Sequence, residues 1–252
     1  MNDWKRVASA VLVMVVCVGA GCQPRAPLPT HEWDDFREAL RVIEQRNAAI
    51  ENVSSAFDLT IRRPEGGTVT LEGAMVAERP DRMRLQAWRF HREVMDLVRS
   101  PEGTWLWTAE QVDEIDEQFA HPQAHEVDWF QAFFMTPDPE TSQLIEAGGG
   151  GEPMVVRWPL GGGDGETGGW HGRAEIDGAT LTVMRIDVYD ETDTFVQRVL
   201  FSEYRVMDGL VFPMRIGAEG QWNATLRSHD VELNGDLPTG VFEPPARANR
   251  LD

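Results

Sequence analysis

Two histidines four positions apart form the densest group of possible metal ligands in the chain. His121 and His125 stand in a segment that continues with Glu126 and Asp128. Histidines at this spacing can share one face of a helix and bind zinc. However, Pro122 lies between them, no HExxH motif is present, and no third histidine follows at a familiar spacing. We therefore interpret the segment as a solvated acidic loop; an enzyme that uses these histidines is the weaker alternative.

Nucleophilic chemistry has even less support in the sequence. No serine lies in a Gly-x-Ser-x-Gly pattern, so no nucleophile elbow of a hydrolase is predicted. Lys5 is the only lysine, which argues against Schiff-base chemistry and against a phosphate-binding P-loop. A hydrolase with paired carboxylates stays an open alternative, because 42 acidic residues give many chance pairs. The sequence predicts a protein that is not an enzyme and that needs no cofactor and no metal.

The charge balance narrows the possible partners. The chain of 252 residues has 23 basic and 42 acidic residues, a formal net charge of -19. A nucleic-acid-binding protein needs a basic face for the phosphate backbone, so we expect no nucleic-acid partner. With 42% hydrophobic and 26% charged residues, the composition is that of a folded globular chain.

The first 21 residues have the features of a secretory signal peptide. Lys5 and Arg6 precede an apolar stretch over residues 7–18, and small residues follow up to Cys22. This order of positive, apolar and small residues is typical of export signals, and the stretch is short for a membrane-spanning helix. We predict a signal peptide over 1–21; an uncleaved N-terminal anchor is the alternative.

The end of this stretch, Gly19-Ala-Gly-Cys22, resembles a bacterial lipobox, whose cysteine becomes the acylated first residue of the mature protein. The resemblance implies lipidation of Cys22 and attachment to a membrane through acyl chains. Gln23 stands where an inner-membrane retention signal places Asp, which favours the outer membrane, with the domain facing the periplasm. Residues 22–30 are rich in proline and predict an extended tether, roughly 25 Å long. Because Cys17 leaves with the signal, the mature chain has no disulfide.

Residues 31–252 are predicted to form one domain that begins with a helix. Leu40 and Ile43 belong to a series of apolar residues at helical spacing, and Thr30 is a possible N-cap. This pattern predicts a helix over about 31–52.

After this helix the period of the apolar residues changes to two, which indicates β-strands joined by tight turns. Five strands are predicted before residue 110 and six after residue 150, in an arrangement typical of an antiparallel meander. Between them, residues 111–147 are predicted to form a helical insertion whose second short helix begins after Pro137 and ends near Ile145. The strands are predicted over about 54–62, 68–76, 82–87, 93–100, 104–108, 153–159, 170–176, 180–189, 194–206, 210–218 and 221–233.

Several phrases of the sequence resemble the LolA/LolB-type lipoprotein-carrier superfamily. The phrases are Leu71-Glu-Gly73, Glu78-Arg-Pro-Asp-Arg-Met-Arg-Leu85, Met95-Asp-Leu97, Trp105-Leu-Trp107, Tyr204-Arg-Val-Met-Asp-Gly-Leu-Val-Phe-Pro213 and Phe242-Glu-Pro-Pro245. They match a strand pair around an Arg-Pro turn and a hairpin with Asp-Gly in that family. The resemblance implies an α+β, mainly antiparallel β fold: an incomplete, strongly curved barrel of about eleven strands, closed by the leading helix and the central helical insertion.

In that family the curved sheet surrounds an apolar cavity for acyl chains, and the resemblance implies the same here. Alternatively, the apolar residues are ordinary core residues. The expected lining is Phe57, Leu59, Leu71, Met83, Leu85, Trp105, Trp107, Trp129, Phe133 and Phe134.

The expected function is that of a membrane-anchored periplasmic lipoprotein that binds an apolar ligand, such as lipid or lipoprotein acyl chains, as a carrier or acceptor. The alternative is a non-catalytic envelope scaffold or assembly protein, with a filled cavity and an envelope protein as its partner. These two hypotheses differ in whether the interior takes up a ligand.

Two surface features of the predicted fold concern contacts with other molecules. LolB-type acceptors carry an apolar residue on a protruding loop after the third strand; Phe90 is the only candidate, in a connection that we expect to be too short to protrude. Arg82 and Arg84 alternate with Met83 and are expected to point toward solvent, where they discourage edge pairing or meet anionic headgroups and acidic partners.

Overall fold

The computed structural model describes residues 26–62, 66–109, 134–147, 151–160, 169–220 and 223–251. These residues form one helix, α1 (Phe36–Ala48), and one sheet of thirteen strands. The strands are β1 (Asn52–Arg62), β2 (Thr68–Glu78), β3 (Arg82–Arg89), β4 (Arg92–Ser100), β5 (Gly103–Thr108), β6 (Gln143–Glu146), β7 (Met154–Pro159), β8 (His171–Ile176), β9 (Val183–Tyr189), β10 (Phe195–Met207), β11 (Leu210–Glu219), β12 (Asn223–Leu233) and β13 (Asn249–Arg250).

The sheet is open and curled. Its strand order is β13-β5-β4-β3-β2-β1-β12-β11-β10-β9-β8-β7-β6, and every neighbouring pair is antiparallel. The strands β13 and β6 lie at opposite edges, so the barrel is not closed. Leu97 of β4 and Trp158 of β7 are far apart in this order but belong to one buried cluster. The helix α1, only 13 residues long, shares the same cluster, and the sheet curls around it.

Alternation along the strands gives the sheet two distinct faces. Leu59 pairs with Leu71 across β1 and β2, and Leu85 pairs with Leu97 across β3 and β4; all four are buried. They share one cluster with Leu40 of α1. We call the face that carries these residues the inner face and the opposite one the outer face, because successive side chains of a strand point to opposite sides.

The helix begins later and ends earlier than predicted, at Phe36 and Ala48, and the predicted last residue Asn52 begins β1 instead. Asp35, not Thr30, is its N-cap, and the Asp35 side chain accepts a hydrogen bond of 3.1 Å from the N–H of Arg37. This bond satisfies one of the free donors at the helix start. The segment before the helix instead contacts the β8–β9 turn, where the His31 N–H donates to the Ala179 carbonyl at 2.8 Å.

All eleven predicted strands are present, with ends that differ by up to three residues from the prediction. The strand count was nevertheless too low, because β6 and β13 are additional short strands. The predicted short helix through Ile145 is wrong, since Gln143–Glu146 pairs with β7 as β6. Residues 111–133 of the predicted insertion lie outside the described residues.

The C-terminal segment, residues 234–251, covers part of the outer face. Arg84 donates two hydrogen bonds to Asp96, of 3.0 and 2.8 Å, and a third to the Val241 carbonyl at 3.1 Å. Asp96 is only 1% exposed, and a buried carboxylate requires such a partner. The predicted solvent exposure is therefore wrong for Arg84, whereas Arg82 is exposed. The segment ends by pairing with β5 as β13.

Gly73 leaves room for the ring of its cross-strand partner Phe57. A Cβ atom at Gly73 would lie 2.1 Å from the Phe57 Cζ and 2.6 Å from the Gln86 carbonyl oxygen. We expect Gly73→Ala to lower the free energy of unfolding by about 1–3 kcal/mol through overpacking, as measured by urea denaturation.

Gly217→Ala is the matched control, because its Cβ atom would meet the Leu200 Cβ at 3.5 Å, an ordinary contact. We expect this change to stay within about 0.5 kcal/mol. Equal losses for the two variants would contradict the packing assigned to Phe57.

Candidate functional site

Five of the predicted lining residues lie together on the inner face. Phe57, Leu59, Leu71, Met83 and Leu85 are 0–5% exposed and belong to the same buried cluster. The strands β1, β2 and β3 position them, because their inner side chains recur at every second residue. Together they form an apolar surface that shares its cluster with the helix.

Trp105 and Trp107 lie on the outer face, apart from this group. They flank Leu106, whose side chain belongs to the inner cluster, and neighbouring side chains of a strand point to opposite faces. The Arg247 guanidinium lies 3.6 Å from the Trp107 ring centroid, and that of Arg250 lies 5.7 Å from the Trp105 ring centroid. The two tryptophans therefore hold the C-terminal segment through cation–π contacts, and the structure does not bring them to the predicted cavity.

Several candidate residues lie outside the described residues: Trp129, Phe133, Cys22, His121 and His125. In the ranges that the structure does describe, no helix is long and apolar enough to cross a membrane. Within the same ranges, no three His, Cys, Asp or Glu side chains are grouped so that they could hold a metal ion.

The predicted lining residue Phe134 contacts Arg79, a side chain that holds the end of α1. Its ring packs against the core, and the Arg79 guanidinium lies 4.8 Å from the ring centroid. Arg79 also donates to the carbonyls of Ile50 and Asn47, both at 2.9 Å. Burial lowers the pKa of Arg79, but a guanidinium stays charged in proteins. Arg79 therefore ties the last turn of α1 and the residue Ile50 that follows it to the β2–β3 turn.

Two further side chains secure the same end of the helix. The Asn234 amide donates to the Ala49 carbonyl at 2.8 Å and accepts from the Glu51 N–H at 2.7 Å. Arg46 donates to the Thr180 carbonyl at 3.0 Å and to the carbonyl that follows it, and burial lowers its pKa. Sequence reasoning did not identify these anchors. Only the Arg-Pro turn phrase pointed to one of them, as part of the family resemblance.

The space between α1 and the strands β10 and β11 is small. A cavity of about 30 Å³ is bordered by Ile43, Phe201 and Phe212, which is room for about one water molecule. Beside it, the Tyr204 hydroxyl donates to the Val183 carbonyl at 2.5 Å, and burial raises the pKa of Tyr204. At this place the inner face is closed by the protein's own side chains.

Two properties of the inner cluster favour a change of shape. Five of its buried members are methionines, whose flexible side chains fill irregular volumes: Met75, Met83, Met95, Met154 and Met214. Among the described residues, the hydroxyls of Ser55 and Ser228 are buried without a hydrogen-bond partner, which is unfavourable in an apolar interior. The cluster is therefore adaptable and contains polar groups that lack partners.

Phe90 protrudes from the tip of the β3–β4 hairpin and is 84% exposed, so the expectation that it does not protrude is wrong. Phe90 and His91 have φ angles of 51° and 62°, which belong to a two-residue turn that continues the twist of its strands. This tip lies at the rim opposite the β8–β9 turn, because neighbouring strands alternate in direction. The two rims are about 26 Å apart along the eight residues of β3.

Comparison with known proteins supports the fold. No protein-family model matches the chain, and no curated protein is a recognisable relative. The chain is similar to the structure of a DUF1329 family protein from Desulfovibrio piger, with 15% identity, a TM-score of 0.60 and coverage of 82% of this chain and 96% of that chain. It is also similar to an outer membrane lipoprotein-sorting protein domain from Vibrio parahaemolyticus, with 11% identity, a TM-score of 0.56 and coverage of 83% and 97%.

A third structure of the same kind is a LolA superfamily protein from Nitrosomonas europaea, with 10% identity, a TM-score of 0.56 and coverage of 83% of this chain and 98% of that chain. The chain therefore has a LolA/LolB-like fold, and the predicted resemblance is confirmed. At such identities the likeness shows the fold alone.

Arg79→Met should loosen the end of the helix, because it removes two hydrogen bonds to Asn47 and Ile50 and the contact with Phe134. We expect faster amide hydrogen exchange over residues 36–50 and a loss of about 1–3 kcal/mol in the free energy of unfolding. Arg82→Met is the control, since its exposed pair with Glu78 contributes at most about 1 kcal/mol. Unchanged exchange in Arg79→Met would show that this residue does not anchor α1.

Proposed function

We propose that this protein is a membrane-anchored periplasmic lipoprotein that binds the acyl chains of lipids or lipoproteins on its inner face, as a carrier or acceptor. The observation that carries the proposal is the open, curled sheet whose apolar inner face packs against one short helix held by polar contacts. The fold is shared with a protein domain described as lipoprotein-sorting, which supports the same reading.

Opening requires movement of α1, whose two flanks contact the same rim of the sheet. Before the helix, the Trp33 indole N–H donates to the Gly178 carbonyl at 2.8 Å; after it, Arg79 donates to the Ile50 carbonyl at 2.9 Å. Each such bond has a net value of about 1–3 kcal/mol, because water replaces it on opening. About fifteen buried methylenes contribute roughly 12 kcal/mol before costs. This value is relative to water, so it measures what an acyl chain gains by covering the inner face in place of α1, and it is comparable to the sum of several such polar contacts.

The N-terminal part completes the proposed arrangement. We assign residues 1–21 to a signal peptide, Cys22 to lipidation and residues 22–30 to the tether. The tether reaches the domain beside the β8–β9 turn, where His31 binds Ala179. Acyl chains on Cys22 would then hold the domain at the outer membrane, facing the periplasm, with the α1 rim directed toward that membrane.

The exposed ring of Phe90 gives the opposite rim a contact point. A single exposed aromatic ring inserts readily among apolar groups of a membrane interface or a donor protein. In this proposal Phe90 makes the first contact with the donor, about 26 Å from the tethered rim, and the acyl chain then passes to the inner face.

A second candidate function is a non-catalytic envelope scaffold whose interior is filled. It is favoured by the cavity of only about 30 Å³ beside α1. The two candidate functions differ in what contacts the inner face in the cell: acyl chains for the carrier, and only the protein's own side chains for the scaffold.

Photo-crosslinking separates the two candidates. Phe201→p-benzoylphenylalanine places the crosslinker at the border of the small cavity, and we expect ultraviolet light to link it to lipid or lipoprotein acyl chains in intact cells. Trp107→p-benzoylphenylalanine, on the outer face, is the control and should give several-fold less of these adducts. The adducts are identified by mass spectrometry.

Lipid adducts at residue 201 would support carriage. Adducts with a protein alone would favour the scaffold, and equal lipid adducts at residues 201 and 107 would contradict a specific inner-face site.

Phe90→Ser should reduce transfer without damage to the fold. Its free energy of unfolding should change by at most about 0.5 kcal/mol, because the ring is exposed. We expect several-fold fewer acyl adducts at residue 201 in the same cells. Ile145→Ser, a second exposed apolar residue at 47%, is the control and should leave the adducts unchanged; a normal yield with Phe90→Ser would exclude the contact role.

A further inference from the structure

A trough of about 710 Å³ lies on the outer face, across β1, β12, β11 and β10. The sheet separates it from the inner face, so it is independent of the proposed carriage. Its floor is one row of paired residues: Thr60 pairs with Thr225, Thr225 with Gly217, and Gly217 with Leu200. Gly217 has no side chain and the threonines are short, which leaves the row open to ligands.

Two arginines stand on opposite sides of this row. Arg62 is two residues beyond Thr60, and Arg215 is two residues before Gly217; both line the trough. Their Cα atoms are about 13 Å apart along the strands and about 10 Å apart across them, with Thr225 midway. Two long side chains that start on opposite sides can therefore meet above the Thr225 hydroxyl.

The pairing of these two arginines differs from that of Arg198 in the same trough. In the described part of the chain, neither Arg62 nor Arg215 has a carboxylate within ion-pair distance, although the chain has 42 acidic residues. Arg215 faces Arg227 directly across β11 and β12, a like-charge arrangement that destabilises a sheet. Arg227 binds Glu203 at 3.2 Å. The Glu203 carboxylate therefore neutralises Arg227 and not Arg215.

The remaining charges of the trough balance each other. Arg198 binds Asp187 through two hydrogen bonds of 2.6 and 3.2 Å. Glu219, the only carboxylate among the described lining residues, lies 3.7 Å from the same guanidinium. An anion that enters the trough therefore meets a net positive surface in a strongly acidic protein.

The arrangement of donors favours a phosphate group. A guanidinium fork binds phosphate or carboxylate, and the hydroxyls of Thr60 and Thr225 add donors from the floor. Donors on two walls and a floor suit a tetrahedral anion with oxygens in all directions better than a planar one. The trough is much larger than a phosphate, and Leu200 and the half-exposed Phe195 provide apolar surface for the rest of the ligand.

We propose that this trough binds a phosphate ester, with the phosphate held between Arg62 and Arg215 above Thr225. The same chemistry is offered by the headgroup of an anionic phospholipid and by a soluble phosphate ester. The experiment must therefore include both sources.

Binding of both ligand types, the soluble ester and the lipid, is measured with the full chain in neutral detergent micelles. Glycerol phosphate is titrated by calorimetry, and phosphatidylglycerol adducts are counted by native mass spectrometry against diacylglycerol, which lacks the phosphate. We expect Arg62→Gln and Arg215→Gln each to weaken binding by about tenfold or more, and the double variant to lose it. Arg82→Gln, an exposed arginine outside the trough, is the matched control and should bind like the parent.

Binding of phosphatidylglycerol alone would support the site with a lipid headgroup as its ligand, and binding of glycerol phosphate would support it with a soluble ester. Binding of neither, equal binding by the double variant, or stronger competition by a glutamate-rich peptide would overturn the proposal. The double variant should unfold at no lower temperature than the parent, since it removes the like charge opposite Arg227. If it does unfold earlier, Arg62→Lys with Arg215→Lys keeps the charge without the fork, and unweakened binding there would also overturn the phosphate assignment.

Discussion

The apolar inner face of an unclosed sheet is the constraint on which the rest of this structure depends. A sheet with one apolar face must cover that face or expose it to water. Here the strands curl until residues of β4 and β7 share one cluster with Leu40 and Ile43 of α1. Because β6 and β13 do not pair, backbone hydrogen bonds do not close the circle, and α1 supplies cover that the sheet cannot give itself.

The helix is held in a way that suits reversible cover. Arg79, Arg46 and Asn234 bind backbone carbonyls at the end of α1 and in the β8–β9 turn. Water can replace each such bond at a small net cost. The buried methionines can adapt to a different occupant. A filled interior and a carrier role are therefore compatible, provided that α1 moves.

The outer face follows a different rule, because charge decides its arrangement. Asp96 is buried beneath the C-terminal segment only because Arg84 neutralises it through two hydrogen bonds, and Asp187 depends on Arg198 in the same way. Arg62 and Arg215 are the exception along the trough, which is why their position indicates an anionic ligand.

Local patterns of the sequence determined where the strands run and which residues alternate. The eleven predicted strands and the inner position of Leu59, Leu71 and Leu85 follow from a period of two, which a strand expresses regardless of its partners. The four residues of β6 are too few to show a period of two. Only the pairing with β7 identifies them as a strand.

Only the tertiary structure decided which face of β5 is inner and what covers the outer face of the sheet. In β5, Leu106 and the flanking Trp105 and Trp107 are all apolar, so alternation shows that they face opposite ways but not which way is inward. The arginines that cover the two tryptophans come from the C-terminal segment, far along the chain. Similarly, Thr30 and Asp35 are both residues that favour an N-cap position. The His31 N–H binds the Ala179 carbonyl, so the helix does not start after Thr30. Sequence periodicity records differences between neighbours, whereas burial depends on contacts between residues that are distant in the chain.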